Sequence, residues 1–376
     1  MNSSDFILTP WESKGDIDYT RLVERFGLNV ISDDIRRQVA DAAGEDHFLL
    51  RRKIFFSHRD LDVILHSYQN GPGFFLYTGR GPSGNTHIGH LIPWMFAQWL
   101  QSRFGATMYF QLTDDEKFYR DSKLSLDDTY NLALQNARDF AALGFDPDKT
   151  HILINSQHIN TLYPLAAQAA KKINYSNTKA SFGFGNDTNI GMIFYTALQS
   201  APCFLEKRPV LIPLGVDQDP HFRLTRDIAP VLRYPKPALI HNIMIPSLTG
   251  SSSKMSASSE NSAVYTTDTA KQIRQKINKY AYSGGQESVA KHRQLGGDTQ
   301  SDVSFLYLWM FFEPNDSKIN QIKEEYESGS MLSGELKQIL IESMVTYMER
   351  HQNRRESVNI KEFMFDETEY KNKMRR

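Results

Sequence analysis

The chain has 376 residues, of which 40% are hydrophobic, 12% aromatic and 23% charged. That much apolar surface excludes a wholly disordered chain, and the length predicts two domains or more at roughly 100 to 200 residues per domain. Lys+Arg 43 against Asp+Glu 44 gives a formal net charge of -1, so a nucleic-acid partner must be met by local basic patches, and the single cysteine, Cys203, excludes an intramolecular disulfide and a cysteine-based zinc cluster.

The opening run, MNSSDFILTPWESKGD, has neither the apolar centre of a secretory leader nor the arginines of a mitochondrial presequence, so a cytoplasmic location is expected. Residues 16–27 and 32–44 predict short amphipathic helices, and residues 1–60 read as an appended N-terminal segment. Four short runs rich in aliphatic, β-branched or aromatic residues then predict buried strands at 73–78, 107–113, 151–155 and 209–214, with a fifth within 235–246. Helical patterns separate them. The clearest spans 125–143, with Ser125 and Asp128 as a capping box, an apolar stripe through Leu132, Ala133, Ala137, Phe140 and Ala141, and Gly144 as the stop. Strands alternating with helices predict an α/β fold, a Rossmann-like parallel sheet covered on both faces, over residues 61–262. After a Ser-rich loop at 247–262 the patterns are helical alone, clearest at 267–282 and 333–350, so residues 263–376 are expected to form an all-helical C-terminal domain whose later helices can pack back on the sheet. The most apolar stretch, 303–312, is about half the ~20 residues that a membrane span requires.

The segment most informative about chemistry is YTGRGPSGNTHIGH at 77–90, a strand running through a Gly/Pro-rich turn into a helix. Such a turn aims backbone N–H groups and a helix N-terminus at an anion, and its glycines let a ligand approach the backbone. It lacks the Gly-Lys-Ser/Thr of a Walker loop and the register of the dinucleotide fingerprint. What remains is His87 and His90 three residues apart, able to donate hydrogen bonds to a reacting phosphoryl group, with Gly89 leaving room for a base. Capping or core histidines are the plain alternative, and zinc ligation lacks nearby thiols. A second element, SSSKMSASS at 251–259, reads alone as a flexible linker, yet a mobile loop carrying Lys254 could close over phosphates and supply positive charge.

The motifs HIGH at 87–90 and KMSAS at 254–258, in that order across an alternating α/β region, resemble the two signatures of class I aminoacyl-tRNA synthetases. Within that class the chain is similar to the tryptophan-specific branch of cytoplasmic, eukaryotic type. The similarity runs through YTGRGPS (77–83), QLTDDEK (111–117), ALQSAP (197–202), GVDQDPH (215–221), TDTAKQIR (267–274), SGG (283–285), HRQ (292–294) and GELK (334–337), and covers roughly residues 14–363. The turn at 84–86 is one residue shorter than in some relatives.

The resemblance implies activation of tryptophan by ATP, with release of pyrophosphate, and transfer to the terminal ribose of its tRNA. It implies that Tyr77 and Gln111 hydrogen-bond the indole N–H, that Glu116 pairs with the substrate ammonium, and that Gln199 and Gln218 complete recognition of the amino acid. Arg80, Gly81, His87, Gly89, His90, Lys254, Met255 and Ser256 would bind ATP, with His87, His90 and Lys254 catalytic. Mg²⁺ would ride on the ATP phosphates, with no zinc. The C-terminal helices would hold the anticodon, with RHQNRR at 350–355 a candidate for phosphate contacts, and the chain would work as a homodimer off the membrane. Each residue also has a plain alternative: DDEK at 114–117 as a solvated charged turn, Gln199 on a helix surface, residues 217–219 in an Asx-type turn. An HxGH nucleotidyltransferase would share the first signature and the sheet, but would leave Gln199, Gln218 and the helical end unexplained. A synthetase-like binding module is disfavoured by the presence of both histidines and Lys254.

Overall fold

A computed structural model describes residues 7–8, 13–14, 18–82, 84–254 and 263–374, and of residues 7, 8, 13, 14, 251–254, 373 and 374 it describes the backbone alone. A seven-stranded sheet lies at the centre, built from β1 (Asn29–Val30), β2 (Phe55–Arg59), β3 (Phe75–Arg80), β4 (Thr107–Leu112), β5 (Thr150–Ile154), β6 (Val210–Gly215) and β7 (Ala238–Asn242), in the order β1-β2-β7-β6-β3-β4-β5. The five strands from β3 to β7 are mutually parallel, while β2 pairs antiparallel with β7 and β1 antiparallel with β2. Strand order reverses between β3 and β6, which places the crevice of this open α/β sheet at their carboxyl ends.

Both faces of the parallel region are covered, which is why its strands read as nearly continuous apolar runs. Alternate residues divide between two layers: Leu76, Met108, Phe110, Ile152 and Ile240 join one buried cluster, and Phe75, Tyr77, Tyr109, Leu153 and Ile212 the other. The first layer is formed by α1 (Ile88–Phe104) and α3 (Leu126–Ala141), where Phe140 stacks on Phe110 with ring centroids 3.8 Å apart. The expected capping box forms, with Asp128 N–H bonded to Ser125 Oγ and Ser125 N–H bonded to the Asp128 carboxylate. The opposite layer holds Ile159–Ala170, α4 (Ile190–Ser200) and Asp219–Ile228.

The region after residue 263 is helical. Its helices α5 (Ala270–Tyr280) and α6 (Ser333–Ser357) contribute Ile273, Ile277, Leu336, Leu340, Met344 and Met348 to the same buried cluster as α1 and α3. Beyond α6, Phe365 N–H donates to Ile152 O and Met364 bridges Ile152, so the chain returns to cover the outer strand β5.

The N-terminal sixty residues hold the two helices expected of them, Tyr19–Phe26 capped by Asp18 and Asp33–Ala43 capped by Ser32. They also supply β1 and β2, which the reading of an appended segment did not include. FFSHR is short, and its partner Asn242 lies far along the chain, so the pairing leaves no local signal. Arg59 at the end of β2 binds the fully buried Asp219 carboxylate through Nε at 2.7 Å and Nη2 at 3.0 Å, and His241 Nε2 lies 3.2 Å from it. Burial works to raise this carboxyl, but hydrogen bonds from His241 and Arg59 prevail and bring it down to about 2. A lowered carboxyl stabilises the fold above its unfolded pKa, near 4, and loses that contribution as pH falls from there toward 2. Asp219→Asn is therefore expected to flatten the pH dependence of the urea midpoint between about pH 4 and 2, removing about 2 kcal/mol of acid-sensitive stability. An unchanged acid limb in the variant would contradict this.

Candidate active site at the carboxyl ends of the parallel strands

The first signature sits where the topology puts it, between β3 and α1. His87 is the N-cap of α1, and its backbone N–H donates to His90 Nδ1 at 3.4 Å. That bond makes Nδ1 the acceptor, so the proton of a neutral His90 ring is on Nε2, which can donate to an anion. The two rings lie with centroids 3.7 Å apart. His87 is buried, while His90 is half-buried.

The loop before them is braced from below. Arg80 Nη1 donates to Thr86 Oγ1 at 2.6 Å and Nη2 to Asn85 O at 3.0 Å, so a guanidinium expected to meet ATP also holds the turn that carries His87. Burial lowers the Arg80 pKa to about 10, which leaves it charged at neutral pH. Thr86 Oγ1 in turn donates to Asp139 Oδ2 of α3 at 2.7 Å. On its other oxygen Asp139 accepts from Arg355 Nε at 2.9 Å and faces His351 Nε2 at 3.4 Å, both from α6. The basic stretch expected to reach RNA phosphates is thus partly turned inward. Arg355 also donates to Gln135, Gln352 donates to Thr266 O and Asp268 O, and His351 is buried, leaving Arg350 and Arg354 as its exposed cations.

At two of the four glycines the close approach is made by the chain itself. A Cβ on Gly79 would lie 2.6 Å from Gln111 O of the neighbouring strand, and one on Gly81 would lie 2.4 Å from Glu116 Oε2. Gly81 and Glu116 are therefore neighbours, although one was expected on the nucleotide and the other on the amino acid.

The second signature begins as a strand. Residues 250–254 pair with Pro246–Ser247 in a hairpin that turns through Gly250 at φ 121°, and Lys254 is registered opposite Pro246. Ser253 pairs with Lys14 of the N-terminal segment. Met255 and Ser256 lie outside the described residues, as does the side chain of Lys254. The return of this loop is well defined: Ile88 N–H donates to Val264 O at 3.1 Å, Thr266 N–H donates to Thr86 O at 2.8 Å, and His87 bridges Tyr265. The chain leaving the second signature is thereby bonded to the first residues of the first.

A buried polar group lies on the other side of β3 and β4. Tyr77 O–H lies 2.6 Å from Gln111 Oε1 and 2.9 Å from Gln199 O. Gln111 Nε2 donates to Asn155 Oδ1 at 2.8 Å and to Leu198 O at 3.2 Å, and Asn155 Nδ2 donates to Asp115 Oδ1 at 2.7 Å. Phe222 meets the Tyr77 ring edge to face at 5.8 Å. Burial raises the Asp115 carboxyl, and the nearby Asp114 adds to this, so that despite the Asn155 bond it titrates at about 7. Asn155 and Asp115 were not singled out in the sequence; DDEK read as a solvated turn, yet α2 (Asp114–Arg120) buries Asp114, Asp115 and Glu116. Glu116 is 2% exposed and paired with Lys117 Nζ at 3.1 Å and Arg120 Nη1 at 3.6 Å, so an incoming ammonium would share it with two cations. Gln199 is half-buried and contributes its carbonyl to Tyr77, and Gln218 Nε2 donates to Asp217 Oδ2 at 3.0 Å just past β6. Tyr77, Gln111, Glu116, Gln199 and Gln218 all lie on the elements that flank the β3–β6 crevice or the adjoining end of β4.

Among the described residues no helix is long and apolar enough to cross a membrane, and no group of three or more His, Cys, Asp or Glu is placed to hold a metal ion.

Comparison with known proteins agrees with this arrangement. The profile of the family described as class I tRNA synthetases (W and Y) matches residues 69–349. A tryptophan–tRNA ligase of Sulfurisphaera tokodaii is 50% identical over 355 residues, covering 94% of this chain and 93% of its own length. Among solved structures, the tryptophanyl-tRNA synthetase of Giardia lamblia superposes with a TM-score of 0.88 at 37% identity, over 93% of this chain and 96% of that one. That of Plasmodium falciparum gives 0.88 at 38%, over 93% and 98%.

Proposed function

The chain belongs to the class I tRNA synthetases for tryptophan and tyrosine and is a tryptophan–tRNA ligase that uses ATP, and from that premise we propose how its own residues divide the work. The tryptophan carboxylate attacks the α-phosphorus of ATP in line and the bond to pyrophosphate breaks; a terminal ribose hydroxyl of the tRNA then attacks the carbonyl carbon of the adenylate, giving the ester as AMP leaves with the bridging oxygen and the hydroxyl proton passes to phosphate or water. Little covalent chemistry falls to the protein in such a transfer, so positioning and charge stabilisation carry it. His87 and His90, with the proton of His90 on Nε2, donate to phosphate oxygens at the start of α1. Lys254 adds positive charge as pyrophosphate departs, and Arg80, Gly81, Gly89, Met255 and Ser256 complete the nucleotide contacts. Mg²⁺ travels on the phosphates rather than in a cage of protein carboxylates.

Tyr77 and Gln111 serve the indole, Glu116 the ammonium, and Gln199 and Gln218 the rest of the amino acid. Residues 263–376 hold the anticodon while α6 remains bonded to the catalytic layer; Arg350 and Arg354 are exposed and offer charge to phosphates. Two chains form the working enzyme in the cytoplasm.

The observation that supports this reading best is the bonding of Val264 and Thr266, a few residues beyond the second signature, to Ile88 and Thr86 at the first, beside the sheet's switch point. Amino-acid-dependent ATP–pyrophosphate exchange, run with each of the twenty amino acids and Mg²⁺, tests it. Exchange is expected with tryptophan alone. Exchange with tyrosine would overturn the specificity, and exchange with neither would overturn the catalytic assignment.

A further inference from the structure

The hydrogen bonds around Gln111 have a direction. Both ends of the group are acceptors: the Asp115 carboxylate at one end, the backbone carbonyls of Leu198 and Gln199 at the other. Above about pH 7, where the Asp115 carboxyl is ionised and can only accept, Asn155 must turn Nδ2 toward Asp115 and Oδ1 toward Gln111. Gln111 must then turn Nε2 toward Asn155 and use its second N–H on Leu198 O. Its Oε1 is left facing Tyr77, with the Tyr77 proton directed at Oε1 or at Gln199 O. Asp115, Asn155, Gln111 and Tyr77 are 7%, 1%, 0% and 2% exposed, so water is not available to satisfy a reversed amide. Both N–H groups of Gln111 are taken up, and beside the slot the lone pairs that remain belong to Tyr77 Oη and Gln111 Oε1. Such a site asks for a donor and offers none, which suits an indole N–H, a group that can only donate.

We propose that Asp115 and Asn155 are specificity-determining positioning residues, whose one-way hydrogen-bond chain holds the Gln111 amide with its oxygen toward the side-chain slot and so requires an N–H donor on the substrate ring. This rests on the assignment of Tyr77 and Gln111 to the ring, and it extends the set of residues that decide the substrate to two that need not touch it. Asp115→Asn is the informative change. It keeps shape, but above about pH 7 it replaces a group that can only accept by one that can also donate, so both amides gain an alternative orientation.

The readout, at about pH 8.5 where Asp115 is ionised, is kcat/KM in ATP–pyrophosphate exchange for tryptophan, divided by that for the tryptophan analogue in which sulfur replaces the ring N–H. The wild-type ratio is expected to be large, because a site built on a hydrogen bond rejects an analogue that lacks the donor. In Asp115→Asn and in Asn155→Ala the ratio is expected to fall at least about tenfold, through a higher KM for tryptophan, while values for the sulfur analogue change less than about threefold. The KM for ATP serves as the check that each variant is folded. A structural role would lower both substrates together and leave the ratio in place; that result, or an unchanged ratio at wild-type activity, overturns the proposal. If the wild-type protein itself does not prefer tryptophan to the sulfur analogue, the ring assignment fails instead. The two failures are thus distinguishable, and Asn155→Ala decides the matter should Asp115→Asn not fold.

Discussion

Replacing Lys254 by alanine is expected to leave the affinity for tryptophan near wild type and to slow adenylate formation about 100-fold or more. The size follows from losing one preorganised donor of charge to a transition state, about 2.7 kcal/mol at the low end. The placement follows from the backbone. Lys254 closes a hairpin whose partner, Pro246, is fixed by Tyr307 O–H bonded to Pro246 O at 2.8 Å, and whose turn is held where Tyr282 N–H donates to Leu248 O at 2.8 Å. The loop that begins at Lys254 ends on the first signature, with Val264 bonded to Ile88 and Thr266 to Thr86. Both ends are therefore anchored, one on the C-terminal helices and one on α1. Neither anchor lies on β3, β4 or α4, where the proposed tryptophan contacts are, so the substitution is expected to spare tryptophan binding. Single-turnover adenylate formation gives the rate, and quenching of protein fluorescence by a non-reactive tryptophan analogue gives the affinity. A normal single-turnover rate would remove Lys254 from the mechanism. Loss of tryptophan affinity with a normal rate would move it to the other substrate.

How far the sequence carried depended on whether a residue's partner was near it along the chain. The parallel strands were legible because burial on both faces leaves a run of apolar residues that needs no knowledge of the partner strand. The helix at 125–143 was legible because its cap, stripe and stop are local. The signature turn at 77–90 announced itself by composition. Strand β2 was not legible, because its pairing is made by residues that arrive much later, Asn242 opposite Phe55, and β1 is a two-residue strand that pairs only with β2. The same holds for the charged groups. Asp115 stands in a run of acids that reads as solvated, and it is buried because Asn155, forty positions on, supplies its donor. Arg355 stands in a basic stretch that reads as a surface for RNA, and it points inward because Asp139 lies 216 positions before it. Charge patterns identify which residues are charged; only the fold decides which of them meet water.

Removing the Asp139 carboxylate, by Asp139→Ala, is expected to cost about 3–5 kcal/mol of stability, the range found when one member of a buried ion pair is deleted. Asp139 is 2% exposed and accepts from Thr86 and Arg355 while facing His351. Burial alone would raise its carboxyl, but the bonds from His351 and Thr86 and the charge of Arg355 hold it below the ordinary carboxylate range. Its contribution is accordingly present above about pH 4 and is lost as pH falls below that. Deleting Arg355 instead should cost less, about 1.5–3 kcal/mol, because its side chain keeps 20% exposure and the carboxylate retains Thr86 and His351. The double variant Asp139→Ala, Arg355→Ala should then be more stable than the sum of the single losses predicts. Urea unfolding of the three variants at pH 7 measures this coupling. Because Thr86 also holds Arg80 and adjoins His87, Asp139→Ala is expected to raise the KM for ATP in those molecules that remain folded, while the KM for tryptophan, whose proposed contacts lie on β3, β4 and α4, stays near wild type. A stability loss under 1 kcal/mol, or a KM change that falls on tryptophan rather than ATP, would show that the carboxylate does not tie the helical end of the chain to the nucleotide loop.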